Sequence, residues 1–328
     1  MTWEILSASI CVGFSFNVNR RAVLKAVLFL TFSAVALLAA HVGGLSGQMK
    51  GTPGAPDLAE ARQIVNRYRA VHGDTPEGLE AYSWLARTEW QAGALQSAYD
   101  DAVQTQRLCE AALTRRQLDA EPHLPMALGA ALEVQAQVLD AKHQKTDAVA
   151  LLQAALKQWS GTSIAPRLRK NLNLLTLMGK PAPPLNMSDW IGTYRPASSS
   201  FKGKPVLLFF WADWCADCKA EAPIIARIAA EFGPKGLVIL GPTKLYGIAA
   251  GGEEATPQQE KEFIDRVFAR YYANIPGMAV PLDARNFETY GASTTPTLVV
   301  IDRRGIVSFY HPGNATGEEL GRAIQAVL

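Results

Sequence analysis

Cysteine is scarce in this chain: four residues in 328, too few to staple a fold of this length through disulfides. An excess of charge is also missing. Thirty-two Lys and Arg stand against 30 Asp and Glu, leaving a formal net charge of +2, and no dense basic run is interleaved with aromatics. Nucleic acid is therefore not expected as a partner. Five histidines are scattered along the chain, and neither an H-x-x-x-H nor a second C-x-x-C accompanies the one close cysteine pair. The ligand set of a tetrahedral zinc site is not there, and no metal is expected. Long apolar runs are limited to one, near the start. What the chain does have is size and 48% hydrophobic content, enough for about two domains with cores of their own.

That single run, AVLFLTFSAVALLAA from Ala26 to Ala40, follows Arg20, Arg21 and Lys25 and gives way to the small, polar HVGGLSGQ. A charged start, an apolar stretch of signal-peptide length and a small-residue exit, in that order, predict a signal peptide or membrane anchor over residues 1–45. The stretch NRRAVLK also approximates a twin-arginine address. Extended to Leu45, the run nears the length of a membrane span, which makes residues 22–45 a candidate tether to the inner membrane. The rest of the chain is then expected in the periplasm or another extracytoplasmic, disulfide-permissive space. Cys11 precedes the segment and is given no role.

Residues 46–178 predict a helical domain. From Asp57 onward Ala, Leu, Gln, Glu and Arg dominate, and apolar positions recur at steps of three and four, as in AYSWLARTEWQAGALQSAYDDAV. Leu85, Ala86, Gly93 and Ala98 fit the spacing of a tetratricopeptide helix pair. A weaker second copy places Ala136, Leu139, Ala148, Leu152 and Ala155 around the turn KHQKTD. The interval between the copies is longer than that repeat allows, and DAEPHLP interrupts it. A protein-docking surface and a plain spacer are the two readings of such a region. Cys109 reads as a small buried hydrophobe.

Five prolines with serines and glycines between Gly179 and Pro205 mark a boundary. Beyond it the pattern changes class. PVLLFFWA and GLVILGPTKL read as buried strands, ADCKAEAPIIARIAAEF as a helix, and TPQQEKEFIDRVFARYYANI as a second helix with Thr256 at its N-cap. PTLVVIDRRGIVSFYHPG gives two strands around a turn, and GEELGRAIQAVL a closing helix. Strands alternating with helices predict a sheet covered on both faces. The Gly-rich YGIAAGGEEATP is expected as a flexible surface loop, and His311 as a lone loop residue. At this level the pair Cys215 and Cys218 is a redox couple or two buried thiols.

The order of strand, C-x-x-C at a helix start, strand, helix, and Thr-Pro opening a further strand resembles the thioredoxin fold. More closely, it resembles the extracytoplasmic thiol-disulfide oxidoreductases of the TlpA/ResA type. The resemblance rests on GKPAP (179–183), FKGKPVLLFFWADWCADCKAEAP (201–223) and TYGASTTPTLVVIDRRG (289–305), and covers residues 179–328. It implies an α/β thioredoxin fold at the C-terminus, preceded by the all-α, tetratricopeptide-like domain. It also implies a redox-active disulfide, Cys215–Cys218, with no further cofactor.

Each neighbouring residue acquires an expected role from the same resemblance. Cys215, at a helix N-terminus that favours a thiolate, attacks, and Cys218 resolves. Glu221 assists proton transfer at the cysteines. Thr295–Pro296 corresponds to the cis-proline loop, where an extended client pairs with the backbone of Thr295. Trp214 supplies an apolar rim, while Trp211 belongs mostly to the core. Ala216 and Asp217, between the cysteines, tune the potential. Two positions depart from common thioredoxins: Phe209 stands where many have an aspartate, and Asp217 replaces a proline. An acid in the first helical turn gains about 0.3–1 kcal/mol from the helix dipole. The same charge opposes a thiolate at Cys215 with a similar magnitude.

The function so implied is that of an exported thiol-disulfide oxidoreductase. It is expected to reduce extracytoplasmic client proteins and to be kept reduced by a membrane thiol donor of the DsbD/CcdA kind, as in cytochrome c maturation or metal-site assembly. A DsbA-like oxidase and a weakly active binding platform with docking helices are the alternatives.

Overall fold

The computed structural model describes residues 58–328. The expected signal peptide or anchor, with Cys11 and the Arg20–Arg21 pair, lies outside the described residues. Ile64–Leu328 forms one compact unit.

The first part of the described chain is all helical: α1 (Leu58–His72), α2 (Pro76–Gln91), α3 (Leu95–Leu113), α4 (His123–Ala141), α5 (Lys145–Gln158) and α6 (Ala165–Thr176). Thr75 starts α2 by accepting the Gly78 amide, with Pro76 in the first turn. α4 is the central element, and α2, α3, α5 and α6 all pack on it. Ala86, Ala98, Ala102, Val134 and Val138 form a thin layer where α2 and α3 approach α4 closely. A larger cluster includes Leu128, Leu132, Leu152 and Leu168, each worth roughly 1.5–3 kcal/mol of apolar burial. Ala136, Leu139, Ala148, Leu152 and Ala155 all contribute there. The turns after α2 and α4 close with one hydrogen-bond pattern, Ala94 N–H to Glu89 O and Gln144 N–H to Leu139 O. A short 3₁₀ turn, Leu118–Ala120, occupies the interruption before α4.

One ionic cluster ties the helices together. Glu133 on α4 accepts from Arg167 Nε at 2.5 Å and Lys170 Nζ at 2.8 Å, both on α6, with Arg87 of α2 at 3.5 Å. Burial alone would raise this carboxyl, but Arg167 and Lys170 overcome it and hold the group at about 2.

The second part is built on a four-stranded sheet of β2 (Val206–Phe210), β3 (Val238–Leu240), β5 (Thr297–Ile301) and β6 (Val307–Pro312), placed side by side in the order β3-β2-β5-β6. β2 and β3 are parallel; the other pairs are antiparallel. Every residue of β2 and β5 is buried because both sheet faces are covered. Leu207, Phe209, Leu298 and Val300 point toward α7 (Ala216–Phe232), α8 (Pro257–Tyr271) and α10 (Gly317–Gln325). Leu208, Phe210, Val299 and Ile301 point the other way, toward α9 (Ala284–Tyr290). A two-residue pair, β1 (Trp190–Ile191) with β4 (Val280–Pro281), lies beside it. The segment predicted as one long strand from Gly236 is a ladder of three residues. Beyond Leu240 its amides turn to the chain around β4, as in Gly241 N–H to Ala279 O at 2.8 Å.

The helical part docks on the α9 face. α6 packs on α9, and Asn173 Nδ2 donates to Tyr290 O at 2.9 Å in a buried site. Tyr310 Oη donates to the same carbonyl at 2.8 Å.

Candidate redox site

The sheet register creates the site. β2 runs antiparallel to β5 with Phe210 opposite Thr297, so the chain leaving β2 meets the chain entering β5 at one end of the sheet. The first carries Cys215; the second carries Thr295 and Pro296. Cys215 is the N-cap of α7, and its Sγ accepts the Cys218 amide at 3.0 Å. The two cysteines form a disulfide with Cα atoms 5.3 Å apart. Cys215 keeps 4% exposure and Cys218 none. The less buried sulfur is therefore at the positive end of the helix dipole, and its partner is sealed one turn inward. Cys215 Sγ lies 3.4 Å from the Thr295 carbonyl oxygen, and the Thr295–Pro296 bond is cis. Ala216 and Asp217 are exposed in the first turn of α7.

Glu221 lies three residues past Cys218 on the same helix and is 1% exposed. Its Oε1 accepts from the Ala315 amide at 3.4 Å. Burial pushes this carboxyl up from its ordinary value, against a smaller opposing pull from that amide and from His311. His311 is not in a loop. It sits in β6, with Nε2 2.8 Å from Asn314 O, and its ring stacks on Phe309. Glu221 itself sits one helical turn beyond Cys218, on the same side of α7.

The rim is aromatic. Trp214 is 53% exposed and meets Tyr246 edge-on at 5.4 Å, whereas Trp211 is fully buried with Nε1 donating to Gly241 O. Lys219 lies over the Tyr271 ring at 5.2 Å. The Gly-rich segment predicted as a flexible loop is a pinned hairpin. Ala249 and Ala255 amides close it onto Glu253 O and Gly247 O, and the buried Glu260 carboxylate accepts the Tyr246 and Gly247 amides. α8, which carries Glu260, starts with a full capping box between Thr256 and Gln259.

Sequence reasoning assigned nothing to Asp213, two residues before Cys215. It is 2% exposed, and burial pushes its carboxyl up; its own backbone amide opposes this, Glu260 adds to it, and Lys219 and the Trp214 amide oppose it further. An Asp in an apparent surface turn gives no sign of this, because neighbours such as Glu260, Tyr246 and Tyr272 are distant in the sequence. Cys109 is free and buried, its thiol pushed up to about 12 by desolvation, with Glu110 and Glu121 adding to the shift, and it takes no part.

A thioredoxin-fold sheet, a cysteine pair at the N-cap of its first long helix and a cis-proline turn facing that pair define a dithiol-disulfide exchange protein. Residues 178–310 match the AhpC/TSA family. The thiol-disulfide oxidoreductase ResA of Bacillus thuringiensis (strain Al Hakam) is 30% identical over 143 residues, 44% of this chain and 74% of its own. The thiol:disulfide interchange protein DsbE of Xylella fastidiosa is 26% identical over 153 residues, 46% of this chain and 70% of its own. The exposed lipoprotein thioredoxin of Streptococcus pneumoniae superposes with a TM-score of 0.32 at 28% identity, covering 39% of this chain and 88% of its own. The chain belongs, through its C-terminal part, to the ResA-type thiol-disulfide oxidoreductases. Its helical part, up to Thr176, precedes the residues of the family match. Among the described residues no helix is long and apolar enough to cross a membrane.

Proposed function

We propose that the protein is an exported reductant of disulfides in extracytoplasmic client proteins. The observation that carries the reading is the pairing of an N-cap cysteine with a sealed partner thiol and a buried acid on the same helix. In the reducing direction the Cys215 thiolate attacks a client disulfide, forming a mixed disulfide and releasing one client thiolate. Glu221 takes the proton of the Cys218 thiol. The Cys218 thiolate then attacks Cys215 Sγ, closing the Cys215–Cys218 disulfide and releasing the second client thiolate. Two electrons pass to the client, and a membrane dithiol donor of the DsbD/CcdA kind restores them. Thr295 and Pro296 offer backbone to the extended client, and Trp214 an apolar rest for it. Ala216 and Asp217 set the potential.

The order of charged, apolar and small residues in the sequence supports export, with residues 1–45 as address or tether. The helical region over 46–178 is read as a docking module of tetratricopeptide-like pairs that presents clients to the redox part of residues 179–328. The oxidase direction is the second reading, since an N-cap thiolate also stabilises a reduced enzyme.

Two measurements test this. Cys218→Ala should accumulate mixed disulfides through Cys215 with extracytoplasmic proteins; absence of any adduct overturns the exchange mechanism. A reduction potential near that of known oxidants, about −120 mV, would instead support the oxidase.

A further inference from the structure

Asp213 is a buried acid at the site that the exchange steps above leave unused. It sits in the turn between β2 and α7, and its Oδ1 is buried without a hydrogen-bond partner. The hydroxyl of Tyr272, at the end of α8, is buried in the same condition. Two such orphans close to one site are unusual in a folded interior, where nearly all buried polar atoms are paired. Four groups face the carboxyl: Lys219 from α7, Glu260 from α8, Tyr272 from the end of α8, and Tyr246 from the hairpin pinned by Glu260. Asp213 pushes both tyrosine hydroxyls upward, which places them within its field. Lys219 is the only cation of the set and is itself drawn to the face of Tyr271.

We propose that Asp213 is a positioning acid for the attacking thiol: by holding or releasing a proton beneath Tyr246 and Tyr272, it sets how readily Cys215 carries a thiolate. The inference rests on Cys215 as the attacking thiol. While Asp213 is neutral, the N-terminus of α7 acts on the sulfur unopposed. Once Asp213 ionises, its charge two residues away works against the thiolate, and the two groups titrate as a coupled pair. Burial and Glu260 favour the neutral form, while the Asp213 and Trp214 backbone amides and Lys219 favour the charged one, so the surroundings of this turn tune the cysteine through the acid.

The test is the pH dependence of iodoacetamide alkylation of the reduced protein, with the modified cysteine identified by mass mapping. In the native chain the Cys215 profile should be broader than a one-proton titration. Asp213→Asn should narrow it to one proton and move the midpoint down by about one unit, about a tenfold gain in reactivity below the midpoint. A purely structural role would slow or unfold the protein without moving that midpoint. A second readout needs no variant: the ¹³C carboxyl titration of Asp213 in the native protein should shift upward on reduction, when the thiolate appears. Superimposable alkylation profiles, or one Asp213 midpoint in both redox states, overturn the proposal. Alkylation at Cys218 in preference to Cys215 would instead overturn the assignment of the attacking thiol.

Discussion

A Cβ built on Gly291 would lie 2.4 Å from the backbone nitrogen of Lys170. Gly291 ends α9 with φ of 63°, and the backbone of α6 passes directly over it. The contact locks the helical part to the sheet, since Asn173 and Tyr310 both bond the adjoining Tyr290 carbonyl. Gly291→Ala should therefore destabilise by about 3 kcal/mol or more, through left-handed strain plus a clash that only backbone movement relieves. Gly305 also has positive φ, but a Cβ there meets nothing within 4 Å. Gly305→Ala should cost only about 1–2 kcal/mol. Urea unfolding of the two variants gives the comparison, and equal losses would mean that α6 does not press on α9.

The Glu133 cluster makes a prediction with a pH signature. The carboxyl is depressed to about 2 in the fold against an ordinary 4.5. A depressed carboxylate adds stability that is fully present above the ordinary value and lost as pH falls through the folded one. Glu133→Gln leaves Arg87, Arg167 and Lys170 facing one another and should cost about 3–5 kcal/mol at neutral pH. The difference from the native protein should shrink steadily between pH 4.5 and about 2 in thermal scans. A pH-independent gap would show that packing, not charge, holds α4 to α6.

Removing the pin on the hairpin should be visible amide by amide. Glu260→Ala deletes the acceptor of both the Tyr246 and Gly247 N–H groups. Hydrogen bonds to a charged acceptor are worth about 1.5–3 kcal/mol, so exchange at these two amides should accelerate by roughly ten- to a hundredfold. Unchanged protection at both would mean that the hairpin is held by its own closure at Ala249 and Ala255.

These features divide by range of interaction, and so does what the sequence reveals. α7 begins at Cys215 and α8 at its Thr256 cap because the signals are local, within one turn. β2 and β5 announce themselves by unbroken apolar runs. β1, β4 and α9 were not expected: two strands of two residues and a seven-residue helix are too short to show a period, and they exist through pairings such as Trp190 with Pro281. The same holds at the site. Cys215, Cys218, Glu221 and Thr295–Pro296 are carried by motif order and resemblance. The charge environment of Asp213 and the order of the Gly-rich hairpin involve Glu260, Tyr246 and Tyr272, brought close only by the fold.

Glu221 supplies the most direct check of proton handling. Its carboxyl is raised by burial, so the folded protein binds this proton more tightly than the unfolded chain. Stability from that proton is complete below the ordinary Glu value and is lost as pH rises through the folded value, where the buried carboxylate must ionise. Glu221→Gln, similar in shape and always neutral, should thus match the native protein at pH 4 and melt higher above it, by a gap that grows until pH passes the folded value and is constant beyond it. Exchange should respond in the opposite sense. Without a group to take the Cys218 proton, resolution of the mixed disulfide should slow by about 10²-fold near neutrality, the usual size of a general-base effect. The loss should fade at high pH, where hydroxide deprotonates the thiol unaided. Stopped-flow decay of a Cys215 mixed disulfide across pH measures this. A variant that gains stability but resolves at the native rate would leave Glu221 as a buried acid with no part in the exchange.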